Sequence, residues 1–210
     1  MNQNNFEVVE FRYLTVNDHC DTKYEAWSRI YEYPYVLDTL VKLNANNEST
    51  IHNSSWGFEG CHVTFKNNLD GLYKNTTHSD IKESTLTNTI VYDITQKIEE
   101  KYINFFDFVL NVSTVEEVNY PNDIVLNNLF EQVKPGGYLI VTFDYDQNIC
   151  NTFGIGSMNL SCVENYLNKK IQDNHYNSNI NGNNSVLPNN LFSGLNCGAL
   201  VLRKKTELEI

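Results

Sequence analysis

Phe105-Phe106-Asp107-Phe108-Val109-Leu110 and Tyr138-Leu139-Ile140-Val141-Thr142-Phe143 are nearly continuous apolar runs. Strands covered on both faces of a parallel sheet need that composition. Between them, Pro121 to Val133 reads as a helix, and Lys134-Pro135-Gly136-Gly137 is the turn expected to end it. Strand, helix, turn and strand form a βαβ unit, whose crossover is right-handed. The unit predicts an α/β fold with a doubly wound, mostly parallel sheet and helices on both faces.

Working outward toward the N-terminus, Glu25 to Leu43 carries Trp27, Ile30, Tyr31, Val36, Leu37, Leu40 and Val41 at helical spacing. Pro34 interrupts the run and predicts the first position of the main helix there. Thr50-Ile51-His52 reads as a strand, Asn53 to Gly60 as a loop, and Cys61 to Tyr73 as a helix. Thr76 to Asp80 and Thr89 to Tyr92 are two further strands, and Gln96 to Ile103 a short helix. Residues 1–24 read as a loose arm with room for one strand. Toward the C-terminus, Ser161 to Ile171 predicts a helix and Leu195 to Leu202 a last strand. The Asn- and Gly-rich stretch 172–190 reads as a long loop or lid. One domain over residues 25–205 accounts for these elements.

Hydrophobic residues make up 41% and charged residues 20%, values usual for a globular chain. The net charge of −11 disfavours nucleic acid as a partner, because no Lys/Arg run offsets the field. Five scattered cysteines without a CxxC pair argue against a disulfide framework or a zinc knuckle and suit a reduced, cytoplasmic setting. No stretch has the length and apolarity of a membrane span or of a signal peptide.

Phe106-Asp107-Phe108-Val109-Leu110-Asn111-Val112-Ser113, followed by Leu129-Phe130-Glu131-Gln132-Val133-Lys134-Pro135-Gly136-Gly137-Tyr138-Leu139-Ile140-Val141-Thr142, resembles class I S-adenosylmethionine-dependent methyltransferases. In that family these segments are the fourth strand, then the helix, turn and fifth strand. The resemblance covers residues 25–203 and implies a Rossmann-like fold with S-adenosylmethionine as cofactor. The segment Trp27 to Pro34 also resembles a front element of some sugar methyltransferases.

The resemblance places the cofactor loop at Ile51 to Gly60. Gly57 and Gly60 stand in the glycine-rich turn, and Asn53 stands where the family has an acid. Asp80, about 20 residues after Gly60 and at a strand end, is where related folds hold ribose hydroxyls. Asp93 follows the third strand, near the expected adenine amino group, and also suits an N-cap. Asn111 ends the fourth strand, where ligands of open sheets collect. The cofactor set is therefore Asn53, Gly57, Gly60, Asp80, Asp93 and Asn111.

Catalytic candidates are His52 and Glu117. A histidine near the cofactor loop can take a proton from an acceptor at neutral pH, and His62 and His78 share that neighbourhood. Glu116 and Glu117 offer carboxylates after the fourth strand, or simply an acidic helix start. Trp56 reads as core, and Tyr33 as core or a cofactor contact. Asp144 and Asp146 flank Tyr145, but two acids do not make a metal site, and no metal is expected.

The function these readings predict is methyl transfer to a small polar acceptor, with a sugar or glycan precursor as the finer expectation. The alternatives are an inactive methyltransferase-like scaffold, motivated by the altered first loop, and an NAD enzyme, which lacks its GxGxxG fingerprint here. Acceptor and oligomeric state are not legible.

Overall fold

The computed structural model describes residues 1, 3–14, 21, 23–24, 28–57, 60–86, 88–145, 158–171 and 196–210. The expected lid at 172–190 lies outside them. Seven strands form one sheet: β1 (Phe6–Leu14), β2 (Thr50–Ser54), β3 (Asn75–Asp80), β4 (Thr89–Val91), β5 (Phe106–Val112), β6 (Val133–Tyr145) and β7 (Asn196–Lys204). Their order is β1-β7-β6-β5-β2-β3-β4. Strands β2 to β6 pair in parallel, and β7 runs antiparallel to both β6 and β1. Among the described residues, four α-helices flank the sheet: α1 (Arg29–Lys42), α2 (Cys61–Leu72), α3 (Asn122–Glu131) and α4 (Leu160–Leu167).

Two apolar cores follow from the strand period. Val109, Leu139 and Val141 face one core, filled by α3 and α4, whereas Leu110 and Ile140 face the other, filled by α1 and α2. Each central strand is therefore covered on both sides, as the apolar runs require. The expected parallel pairing is present, with Leu110 opposite Ile140 and Val109 opposite Leu139.

Four expectations need correction. Pro34 lies inside α1, not at its first position. A proline there removes the N–H that would bond the Ile30 carbonyl. The Asp21 N–H donates to that carbonyl instead, at 3.0 Å, so the orphaned acceptor is satisfied from outside the helix. Lys134 to Gly137 does not separate helix from strand. It bulges within β6, between the pairs Phe106–Val133 and Phe108–Tyr138. Gly137 is required there because a Cβ would lie 2.6 Å from the Asp107 carbonyl oxygen.

The helix expected over Gln96 to Ile103 shrinks to one 3-10 turn, Glu100–Tyr102. Ile94 and Ile98 are buried, but Gln96, Lys97, Glu99 and Glu100 are exposed, leaving no apolar stripe to dock a helix. The N-terminal arm contains β1, which hydrogen-bonds along β7 and buries Phe6, Val8, Phe11 and Tyr13. Cys61 and Cys197 are free thiols, whereas Cys162 is disulfide-bonded, a departure from the fully reduced set expected. Among the described residues, no helix is long and apolar enough to cross a membrane.

Candidate functional site

A cavity of about 380 Å³ opens at the carboxyl ends of β2 to β5. Ligands of open α/β sheets collect at that edge, and pockets for small molecules span roughly 300–1,000 Å³. Topology brings the walls together. β2 delivers Asn53 and the loop residues Ser55, Trp56 and Gly57; β3 delivers Asp80 and Ile81. Tyr92, Asp93, Ile94 and Thr95 follow β4, and Val112, Thr114 and Val118 come from the end of β5 and beyond. Arg29 and Tyr33 of α1 and His62 of α2 close the remaining side.

The loop after β2 is held by its backbone. Ser55 and Gly57 have φ of +57° and +70°. The Trp56 N–H donates to the Ser79 carbonyl at 3.2 Å, and the Gly57 N–H donates to Asp80 Oδ2 at 3.2 Å. A Cβ on Gly57 would lie 2.9 Å from the His62 ring. The glycine thus lets the chain pass under the imidazole. Asp93 Oδ1 accepts from the N–H and the hydroxyl of Thr95, at 2.9 and 2.8 Å, so it caps its own turn while lining the cavity.

Of the expected cofactor residues, Asn53, Gly57, Asp80 and Asp93 line this cavity together. Gly60 does not. It precedes α2 with φ +55° and has open space where a Cβ would be. Asn111 also stands aside: it is fully buried, and its Oδ1 accepts from the Val115 N–H at 3.2 Å. That bond shapes the 3-10 turn Val115–Glu117.

Both catalytic candidates are displaced. His52 is fully buried and stacks on Phe106. Its Nδ1 is bonded to Gln132 Oε1 at 2.6 Å, and its Nε2 to Ser79 Oγ at 2.7 Å. Burial lowers its pKa to about 4, a core histidine's environment. Glu117 is exposed and outside the cavity lining.

Two groupings were not anticipated. Tyr33 is hydrogen-bonded through its hydroxyl to His62 Nδ1, and both side chains line the cavity. Burial raises the Tyr33 pKa, so the phenol stays protonated. Tyr33 stacks on Phe65 with centroids 4.0 Å apart. The second grouping is acidic. Glu32 is fully buried, pairs with Arg29 and accepts from the Ser113 hydroxyl at 2.6 Å. Against the cost of burial, Arg29 and Ser113 keep its pKa low. Next to it, burial pushes Glu116 well above the ordinary carboxyl value, and Asp144 is raised to about 6 by burial and by Glu32. The Asp144 N–H donates to Glu116 Oε1 at 2.8 Å. Asp146 lies outside the described residues. Charged residues inside the apolar run of α1 were the available signal for Arg29 and Glu32, and nothing local marked the Tyr33–His62 contact.

The cavity suits an S-adenosylmethionine-sized ligand chemically. Carboxylates from two adjacent strand ends face it, Ile81, Tyr92, Ile94 and Val112 give it apolar walls, and a glycine stands where the backbone comes closest to His62.

No protein-family model and no curated protein sequence matches the chain. Solved structures do. The chain is similar to the trans-methyltransferase CalH, solved with S-adenosylhomocysteine, at a TM-score of 0.58 and 14% identity, covering 86% of this chain and 57% of that one. It is similar to the CMeT domain of the citrinin polyketide synthase, at 0.53 and 13%, covering 82% and 51%. It is also similar to the [4+2]-cyclase SpnF, at 0.58 and 10%, covering 92% and 88%. The chain thus spans little more than half the length of the first two. It has the Rossmann-like fold of class I S-adenosylmethionine-dependent methyltransferases.

Proposed function

We propose that the protein is an S-adenosylmethionine-dependent methyltransferase acting on a small polar acceptor. The observation that carries this reading is the convergence of Asn53, Gly57, Asp80 and Asp93 on one cavity at the carboxyl edge of a methyltransferase-type sheet. A fold does not fix an activity, and one neighbour with this fold is a cyclase, so the assignment rests on the site.

When bound, S-adenosylmethionine supplies a methyl group on a sulfonium, open to displacement by the acceptor's lone pair. Asp80 and Asp93 would hold hydroxyl and amino donors of the cofactor, and the apolar walls would take its base. Tyr33 and His62 handle the proton. With the Tyr33 hydroxyl donating to His62 Nδ1, a proton taken up at the phenol oxygen is matched by the phenolic proton moving to the imidazole. Holding acceptor and methyl in line does the remaining work. No residue of the site carries the finer expectation of a sugar, and the neighbours include a polyketide-synthase methyltransferase domain.

Calorimetric titration with S-adenosylmethionine and S-adenosylhomocysteine tests the binding claim. The expected result is saturable binding of both. An absence of heat at millimolar ligand overturns it. Incubation of the protein with methyl-labelled cofactor and a panel of amines, hydroxyls and carboxylates then identifies the acceptor.

A further inference from the structure

A chain of four polar side chains runs from α2 to the cavity. Lys66 Nζ donates to Asp70 Oδ2 at 2.6 Å, and Asp70 Oδ1 lies 2.8 Å from His78 Nε2. On the other side of the ring, His78 Nδ1 is 3.2 Å from Asn53 Nδ2. Asn53 and His78 face each other directly across the β2–β3 pair. His78 is completely buried and Asn53 is 2% exposed.

Proton bookkeeping fixes the orientation of each group. A carboxylate only accepts, so the imidazole proton sits on Nε2. Nδ1 then carries a lone pair and accepts from the Asn53 amide N–H. With Nδ2 anchored, the Asn53 carbonyl is the free end. Its Oδ1 accepts no hydrogen bond from any described residue, although Asn53 lines the cavity. An acceptor left open at a cavity wall is available to a donor of the occupant.

We infer that Asp70 and His78 are positioning residues, which lock the Asn53 amide so that Oδ1 faces the cavity as an acceptor for an N–H or O–H group of the ligand. This rests on the cofactor reading for the ligand's identity, but not for the state of His78. A neutral amide held by a histidine here takes the place that the resemblance gives to an acid.

The device has a pH consequence. Burial lowers the His78 pKa, opposed by the Asp70 bond, and so favours the neutral ring. A second proton, taken from solvent, would put an N–H on Nδ1 facing the Asn53 N–H. The amide must then turn over, and the cavity meets a donor instead of an acceptor. The groups facing His78 are Asp70 and Lys66 from α2, His52 from β2 and the edge of the Trp56 ring. Asp80, Asp93 and His62 line the cavity side.

Two measurements test this. Long-range nitrogen–proton NMR of the full chain at pH 7.5 is expected to show His78 neutral, with its proton on Nε2. A proton on Nδ1, or an imidazolium, overturns the proposal, and this needs no variant. Calorimetry with S-adenosylhomocysteine at pH 7.5 and 5.5 then compares the parent with His78→Gln, whose amide oxygen can accept from Asn53 but does not titrate. Acidification is expected to weaken binding more in the parent than in His78→Gln, the difference growing as the pH falls through the lowered His78 pKa. Equal weakening in both proteins overturns it, because Asp80, Asp93 and His62 are common to both. If the parent binds no S-adenosylhomocysteine at either pH, the methyltransferase reading fails and the His78 tautomer alone decides the positioning claim.

Discussion

The backbone N–H of Gly57 donates to Oδ2 of Asp80 at 3.2 Å, tying the loop that leaves β2 to the end of the neighbouring strand β3. Oδ1 of the same carboxylate accepts from the Lys82 N–H at 3.3 Å. Asp80 therefore shapes the rim of the cavity as well as facing into it. Asp80→Ala is expected to weaken cofactor binding by about 1.5–3 kcal/mol, the worth of a charge-assisted hydrogen bond. Asp80→Asn keeps an acceptor for Gly57 and should lose less. Calorimetry on both variants separates the two roles. Equal losses would mean that charge is the whole effect, and no loss in either would remove Asp80 from the ligand.

Gly57 and Gly60 looked equivalent in the sequence but differ in surroundings. Gly57 combines φ +70° with an imidazole 2.9 Å from its would-be Cβ, whereas Gly60 combines φ +55° with open space. Gly57→Val should displace His62, close the cavity and abolish binding. Gly60→Val should cost about 1–3 kcal/mol of stability, because φ +55° with ψ −126° is a backbone conformation that glycine adopts and a β-branched residue resists, with binding retained. Urea denaturation and a cofactor titration on each variant check this. Loss of binding in Gly60→Val alone would relocate the cofactor loop to the start of α2.

The sheet was legible because Phe106 to Leu110 and Tyr138 to Phe143 are nearly continuous apolar runs, the composition that a doubly covered strand needs. The role of β1 was not, since its partner β7 lies at the far end of the chain. The start of α1 was hidden for a similar reason: the donor that replaces the missing Pro34 N–H comes from Asp21, outside the helix. Within the site, positions at strand ends were readable and side-chain directions were not. His52 and Asn53 are neighbours on β2, and strand alternation sends one into the core against Phe106 and the other to the cavity. Asn111 occupies a strand end as expected, but turns its carbonyl back to the Val115 N–H.

Tyr33→Phe tests the proton pair without disturbing packing. The phenyl ring keeps the stack on Phe65 and loses only the hydroxyl bonded to His62. Affinity for S-adenosylhomocysteine should stay within about twofold, while methyl transfer to the acceptor found with labelled cofactor falls roughly 10²-fold or more, the range for a general acid–base group. His62→Gln should reproduce the effect, and the double variant should be no worse than either single one. Undiminished turnover in Tyr33→Phe would show that the acceptor loses its proton to solvent.

The acid sensitivity of the fold should carry a signature of His52. Burial holds its pKa at about 4, against 6.5 in an ordinary setting. The unfolded chain therefore binds a proton between these values that the folded chain refuses. By linkage, the stability associated with neutral His52 is fully present above pH 6.5 and is lost as the pH falls toward 4. The shift corresponds to about 3 kcal/mol at the acid end of that window. Gln132 and Ser79, which hold the two ring nitrogens, can also bond a glutamine side chain. Urea unfolding of the parent and of His52→Gln at pH 7 and pH 4 isolates the effect, since the buried carboxyls Glu116 and Asp144 are common to both. The parent should lose about 3 kcal/mol more than the variant. Parallel losses would mean that His52 is protonated freely in the native state and therefore reaches water. A solvent-connected imidazole beside the cofactor loop would then regain the catalytic role that its burial against Phe106 excludes.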